Sequence, residues 1–227
     1  MLGLVLLLIM ASAPGDPSGE AILKKVEESR AGVQDFTVTL DIEAHLEQVS
    51  LPSMQVTLYF KHPDKMHFDG EGFAIIPKEA VTLSPTHLLK RFTVESVERD
   101  TLNGEKEFKL SLKPNDERVR LRSATLYVHT ERWTMDRLAS TLPDGRVLSA
   151  EFTHRNIQGA WLPAVLTVSF TAPRPAPPSP ATEDEAPPSL RRPVLQGGFV
   201  IIRYSGYRIN TGLDDALFAP DRPSIRE

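Results

Sequence analysis

The chain has 227 residues, 41% of them hydrophobic, and a formal net charge of −4. Such a length fits one domain, and all-β domains often reach it. The mildly acidic balance, with no basic run beyond isolated pairs such as Lys24-Lys25 and Arg191-Arg192, argues against a nucleic-acid binder, which concentrates basic charge on one surface.

In chain order, residues 1–15 come first. Leu2 to Met10 form an apolar run followed by the small residues Ala11, Ser12 and Ala13. The run is too short to span a bilayer, which needs ~20 apolar residues, and its layout predicts a secretory signal peptide. The sequence contains no Cys. No disulfide is therefore available, and no thiol can carry a lipid anchor, so a soluble exported protein is expected. One domain is expected over residues 18–222.

Ser18 to Arg30 predicts a helix, with Ser18 as the cap, Glu20 in the first turn and Ile22, Leu23 and Val26 on one side. From Asp35 the period changes to two. Phe36, Val38, Leu40, Ile42, Ala44 and Leu46 alternate with polar residues, a half-buried strand pattern. Met54, Val56, Leu58 and Phe60 repeat it until "HPDK" breaks the run. "MHFDGEGFAIIP" reads as short strands about a Gly turn. Ser84-Pro85 then predicts a helix start, and Thr86 to Arg91 a short helix carrying Leu88 and Leu89.

A meander follows. Phe92 and Val94 belong to one strand and Phe108, Leu110 and Leu112 to the next, turned at "LNGE". "SATLYVHT" and "RWTMDRLAS" join at Thr130-Glu131. "RVLSAEFTH" leaves the turn "PDGR", and "WLPAVLTVSF" carries Leu162, Ala164, Leu166, Val168 and Phe170 on one face. Consecutive hairpins predict an antiparallel sheet. Residues 173–193 are Pro-rich and acidic, and predict a solvated insertion within a hairpin. Phe199 to Tyr207 resumes the sheet.

This pattern contains too little helix to cover its strands. A helix covers a strip ~10 Å wide, whereas roughly ten strands at ~4.8 Å spacing make a sheet about five times wider. The sheet must therefore fold into a sandwich, close into a barrel or curl into a trough lidded by the helices. The last two can leave an apolar hollow. Pattern alone does not choose among them.

Four stretches carry a resemblance to a known family. The first helix leads into "DFTVTLDIEA". "VTLYFKHPDKMHFD" ends a strand in a Pro turn and restarts with an aromatic. "DGRVLSAEFTH" runs into "GAWLPAVLTVSF". "YRINTGLDDALFAP" closes the chain. In this order they resemble the periplasmic lipoprotein carriers and receptors of the LolA/LolB type, although His62 stands where the carrier has an Arg and the Pro-rich insertion is not typical. The resemblance implies a mainly β (α+β) fold: a curved antiparallel sheet, or unclosed barrel, covered by an N-terminal helix and a short helical lid.

The resemblance further implies a periplasmic, non-enzymatic carrier that buries the acyl chains of lipoproteins or other lipids on the way to the outer membrane. Its partners would be an inner-membrane donor and an outer-membrane acceptor, with no nucleic acid, no cofactor and a monomeric chain. The same half-barrel also resembles the lipid- or protein-binding module of envelope-stress sensors, which leaves a sensor or adaptor as the alternative. The expected acyl site comprises Phe36, Val38, Leu40, Ile42, Val56, Leu58, Phe60, Leu88, Leu89, Phe108, Leu110, Leu126, Trp133, Leu166 and Val168. Burying one methylene gains ~0.8 kcal/mol, so a ~16-carbon chain resists transfer through water by over ~10 kcal/mol.

Other candidate chemistry is thin. His62, Asp64, His67 and Asp69 have spacing that a metal could use, but also that of a solvated turn. Ser205 lacks the G-x-S-x-G context of a nucleophile. Asp214 and Asp215 read as a cap for a closing turn in which Gly212 supplies the left-handed backbone and Leu217 and Phe218 tuck under the sheet.

Overall fold

The computed structural model describes residues 17–46, 49–50, 52–70, 85–116, 121–143, 145–171 and 197–219. The leader expected at 1–15, the insertion expected at 173–193 and the part of "MHFDGEGFAIIP" after Gly70 lie outside these residues.

Helix α1 (Gly19–Ser29) begins where Ser18, in extended conformation, accepts a hydrogen bond from the Ala21 amide at 3.2 Å. Ile22, Leu23 and Val26 are its buried stripe. The helix then rests on a strand, because Gly19 lies so close to Val94 that a Cβ there would overlap it.

Among the described residues, eleven strands form one antiparallel sheet. Its order is β4 (Lys65–Asp69), β3 (Met54–Lys61), β1 (Asp35–Leu46), β11 (Gly197–Ile209), β10 (Ala160–Thr171), β9 (Val147–Ile157), β8 (Met135–Thr141), β7 (Ser123–His129), β6 (Glu105–Pro114) and β5 (Phe92–Leu102). The two-residue β2 (Val49–Ser50) pairs beside β1. Among the described residues β4 and β5 end the order without pairing to each other, so the sheet they form curls but does not close. Helix α2 (Pro85–Arg91) runs directly into β5.

One expected strand starts later than its apolar pattern suggests. Trp133 lies in the turn before β8, with φ 55° and its amide bonded back to the His129 carbonyl at 3.1 Å. A bulky side chain in that backbone region is uncommon. Its ring stacks on Phe108 at 5.8 Å, beneath the Lys25 ammonium at 5.1 Å.

The end of the described chain folds back as a clasp. Asp35 accepts hydrogen bonds from the amides of Thr211, Gly212 and Leu213 and from the Thr211 hydroxyl, at 2.8, 3.0, 3.4 and 3.2 Å. Gly212 has φ 75°, the left-handed conformation the turn requires. Asp214 caps the final 3₁₀ turn (Asp215–Phe218) through the Ala216 amide. Asp215 instead bridges Lys61 at 2.7 Å and Lys65 at 3.0 Å. Leu217 and Phe218 are half-buried.

Candidate functional site

The concave wall is the side of the sheet that the alternating apolar residues share. Along its middle the wall is closely packed. Val38, Leu40, Ile42, Val56, Leu58, Phe108, Leu110, Leu126 and Leu166 are buried there, with Phe36 and Leu88 at its margin. Phe60, Trp133 and Val168 are partly buried against it. Leu89 is 39% exposed and stands outside this cluster. The expected residues therefore come together, apart from Leu89, but most of them touch one another. Accessible apolar surface is found at the two ends of the wall.

At the helix end, α1, the β3–β4 turn, β10 and β11 enclose a hollow of about 60 Å³. Its walls are Val33, Phe36, Phe60, Leu162, Tyr204 and Tyr207, and Glu27, Arg30 and His62 also border it. Phe36 stacks on Phe60 at 4.9 Å and meets the Tyr207 ring edge-on at 5.5 Å. Tyr207 donates its hydroxyl to the Pro163 carbonyl at 2.8 Å, and Arg155 donates to the Tyr204 carbonyl at 2.9 Å while covering the Tyr207 ring. Burial raises the pKa of both phenols, so they stay neutral. Burial also lowers that of Arg30, against the pull of Glu27 and Tyr207.

Bulges aim these side chains. Between the pairs Thr37–Arg208 and Thr39–Ser205 the ladder shifts, so that Val38 alone faces Gly206 and Tyr207. Gly206 takes φ 64°, a conformation that glycine adopts without penalty. The extra residue brings Tyr204 and Tyr207, three apart, onto one wall. A second shift between Pro163 and Val165 leaves Ala164 unpaired beside the proline, the kind of position a strand proline tolerates.

At the far end the wall is less covered. Ala44 pairs with Val200, Val200 with Val168, Val168 with Ala150, and Ala150 with Leu138, while Phe170 pairs with Leu148. Directly paired residues share a face. Leu138, Val168 and Phe170 are only half-buried, and Leu148 is 37% exposed. Of this surface, the expected acyl site included only Val168, although Phe170 stood on the same expected face and Ala44 in the alternation of β1. The full alternation of "RVLSAEFTH" with "WLPAVLTVSF" was the available signal.

The remaining sequence candidates fall elsewhere. His67 lies beside Tyr59, and among the described residues no three His, Asp or Glu converge as metal ligands. Ser205 faces the Asp41 carboxylate at 3.5 Å. No described helix is long and apolar enough to cross a membrane.

No protein-family profile and no curated relative matches the sequence. Solved structures do match the fold. A domain of an outer membrane lipoprotein-sorting protein from Vibrio parahaemolyticus aligns with TM-score 0.62 at 10% identity, covering 88% of this chain and 96% of that one. A DUF1329 family protein from Desulfovibrio piger aligns with TM-score 0.59 at 13% identity, over 88% and 95% of the two chains. A LolA superfamily protein from Nitrosomonas europaea aligns with TM-score 0.55 at 14% identity, over 91% and 99%. At these identities the likeness concerns the fold, which is LolA-like.

Proposed function

We propose that this LolA-like chain is a non-enzymatic carrier that shields the acyl chains of lipoproteins or other lipids during passage through the periplasm to the outer membrane. The observation that carries the reading is the partly uncovered apolar wall at Leu138, Leu148, Val168 and Phe170. It continues into the packed centre of a sheet that does not close. The leader composition of residues 1–15 and the likeness to a lipoprotein-sorting domain support the compartment and the cargo.

The hollow at the helix end, about 60 Å³, is small beside the ~300–1,000 Å³ of ordinary ligand pockets. It would receive the end of a chain. A full acyl chain would lie along the far-end wall and displace side chains towards the centre. Such partial burial suits a carrier, because imperfect contact forfeits dispersion energy and permits release.

The experiment is transfer of a fluorescent acylated peptide between donor and acceptor vesicles. The full chain is expected to accelerate transfer in proportion to its concentration, and Leu148→Glu to abolish the acceleration. A transfer rate independent of the protein would contradict the carrier reading.

A further inference from the structure

Every buried side-chain polar atom left without a hydrogen-bond partner among the described residues falls on three neighbours. They are both carboxyl oxygens of Glu107, Nε of Arg132 and Nε2 of His154. Folded proteins leave few such atoms, and a concentration of them in one wall calls for a physical reason. Glu107 is 1% exposed and the His154 side chain 3%. All three residues line a cleft of about 300 Å³ between the β5–β6 turn, the β7–β8 turn and strands β9 and β10, where Asn103, Thr153 and Thr167 add polar groups. None of these belongs to the apolar wall described above.

Asp136 organises the cluster. It is the extra residue where β7 and β8 shift register, since Tyr127 pairs with Arg137 but Val128 with Met135. It accepts from the Thr134 hydroxyl at 2.6 Å, and lies 3.3 Å from His154 Nδ1 and 3.4 Å from Arg132 Nη2. The Arg132 guanidinium also rests on the Trp161 ring at 5.4 Å. Burial lowers the His154 pKa despite Asp136, so the ring is neutral. With Nδ1–H turned to Asp136, its Nε2 is an acceptor. Burial, the neighbouring Asp136 charge and the proton that the two carboxyls share push Glu107 up to about 8, so it holds that proton at neutral pH.

Once Glu107 gives up that proton, its two oxygens and His154 Nε2 are three acceptors, and Arg132 Nε is one donor. A primary ammonium carries three N–H donors. The charge agrees. Once Glu107 ionises, Glu105, Glu107 and Asp136 outnumber Arg132 along the cleft, while Glu151 is paired with Arg137 at 3.3 Å. Glu107 also borders a second cleft lined by Arg99, Asp100 and Lys106, while His129 is held 3.2 Å from Glu105.

We infer that this cleft binds a small primary-ammonium ligand with an oxygen close to the amine, Glu107 and His154 accepting from the ammonium and Arg132 Nε donating to the oxygen. That chemistry is shared by free ethanolamine and by an ethanolamine lipid headgroup. A cation against Glu107 favours its carboxylate, so binding at neutral pH releases the carboxyl proton to solvent.

The test is calorimetric titration of the full chain with ethanolamine, O-phosphoethanolamine and their choline counterparts, in buffers of different ionisation enthalpy. Saturable binding of an ethanolamine ligand is expected, with release of a proton at pH 7 that disappears well above pH 8. The choline counterparts, which have no N–H, should bind at least about tenfold more weakly. Glu107→Gln should weaken binding by a similar factor. Arg132→Met should weaken ethanolamine relative to ethylamine, which lacks the oxygen. Flotation with phosphatidylethanolamine against phosphatidylcholine vesicles separates the sources: selective retention assigns the headgroup, and binding of free ethanolamine without retention assigns the soluble amine. Equal binding of amine and trimethylamine ligands, undiminished binding by Glu107→Gln, or no saturable binding of any ethanolamine ligand would overturn the assignment.

Discussion

Asp35 opens β1 and receives the chain's closing turn. Burial alone would raise its pKa, but the bonds from Thr211, Gly212 and Leu213 outweigh it, and the carboxyl titrates below its ordinary value. A depressed folded value means that the stabilisation is present above the unfolded pKa, ~3.9, and is lost as pH falls through the folded one. Asp35→Asn should therefore cost about 2–3 kcal/mol in urea denaturation at pH 7, since donors to a charged acceptor lose their partner. The difference from the parent should shrink as pH drops below ~4. A difference that persists unchanged in acid would show that the charge is not its source.

Glu107 has the opposite sign. Its pKa rises from 4.5 to about 8, so between those values the folded chain binds more protons than the unfolded one. Stability attributable to this group falls as pH rises through that window. Glu107→Gln should melt near the parent below pH 5 and above it at pH 9. A pH-independent difference in melting temperature would contradict the buried, proton-holding carboxyl.

The elements were legible wherever apolar residues kept one period. β1, β3, β6 and β10 follow from alternation, and α1 from its cap and stripe. The bulges were harder to read, because one extra residue shifts the phase without breaking the apolar pattern. In "IIRYSGYRI" the step from Tyr204 to Tyr207 is three residues with Gly206 between, a detectable shift. Nothing comparable marks Asp136, and Glu107, on the side of β6 opposite Phe108 and Leu110, looks like a solvated neighbour of Lys109. The helix-end hollow and the polar cleft are built on such shifts, which is why the sequence indicated the core more clearly than these sites.

Contact between α1 and β5 supplies a test at this scale. Alanine normally favours a helix over glycine by up to ~1 kcal/mol. At Gly19 the new Cβ would meet the stiff Val94 side chain. Gly19→Ala is therefore expected to destabilise by about 1–3 kcal/mol, the usual cost of overpacking. Gly32→Ala, where the added carbon meets nothing within 4 Å, should change stability by no more than ~0.5 kcal/mol. Equal melting temperatures for both variants would mean that α1 does not bear on β5 as described.

For the whole molecule, the comparison of helix width with sheet width predicted a surface that the helices cannot cover. The sheet curls without closing, and its centre is filled by its own side chains. Among the described residues, the apolar surface left partly exposed at the far end is that of Leu138, Leu148, Val168 and Phe170. This changes how the carrier reading should be challenged. Leu58 and Leu166 are fully buried, so a carboxylate at either would test folding. Leu148 is accessible and belongs to the same wall, so a charge there tests binding.

The most direct measurement is native mass spectrometry of the full chain incubated with a long-chain acyl lipopeptide, with Leu148→Glu run in parallel. The parent should retain the acylated ligand, and the folded variant should lose it. A parent that holds no acyl ligand, or a variant that holds it equally well, would contradict acyl binding at this wall.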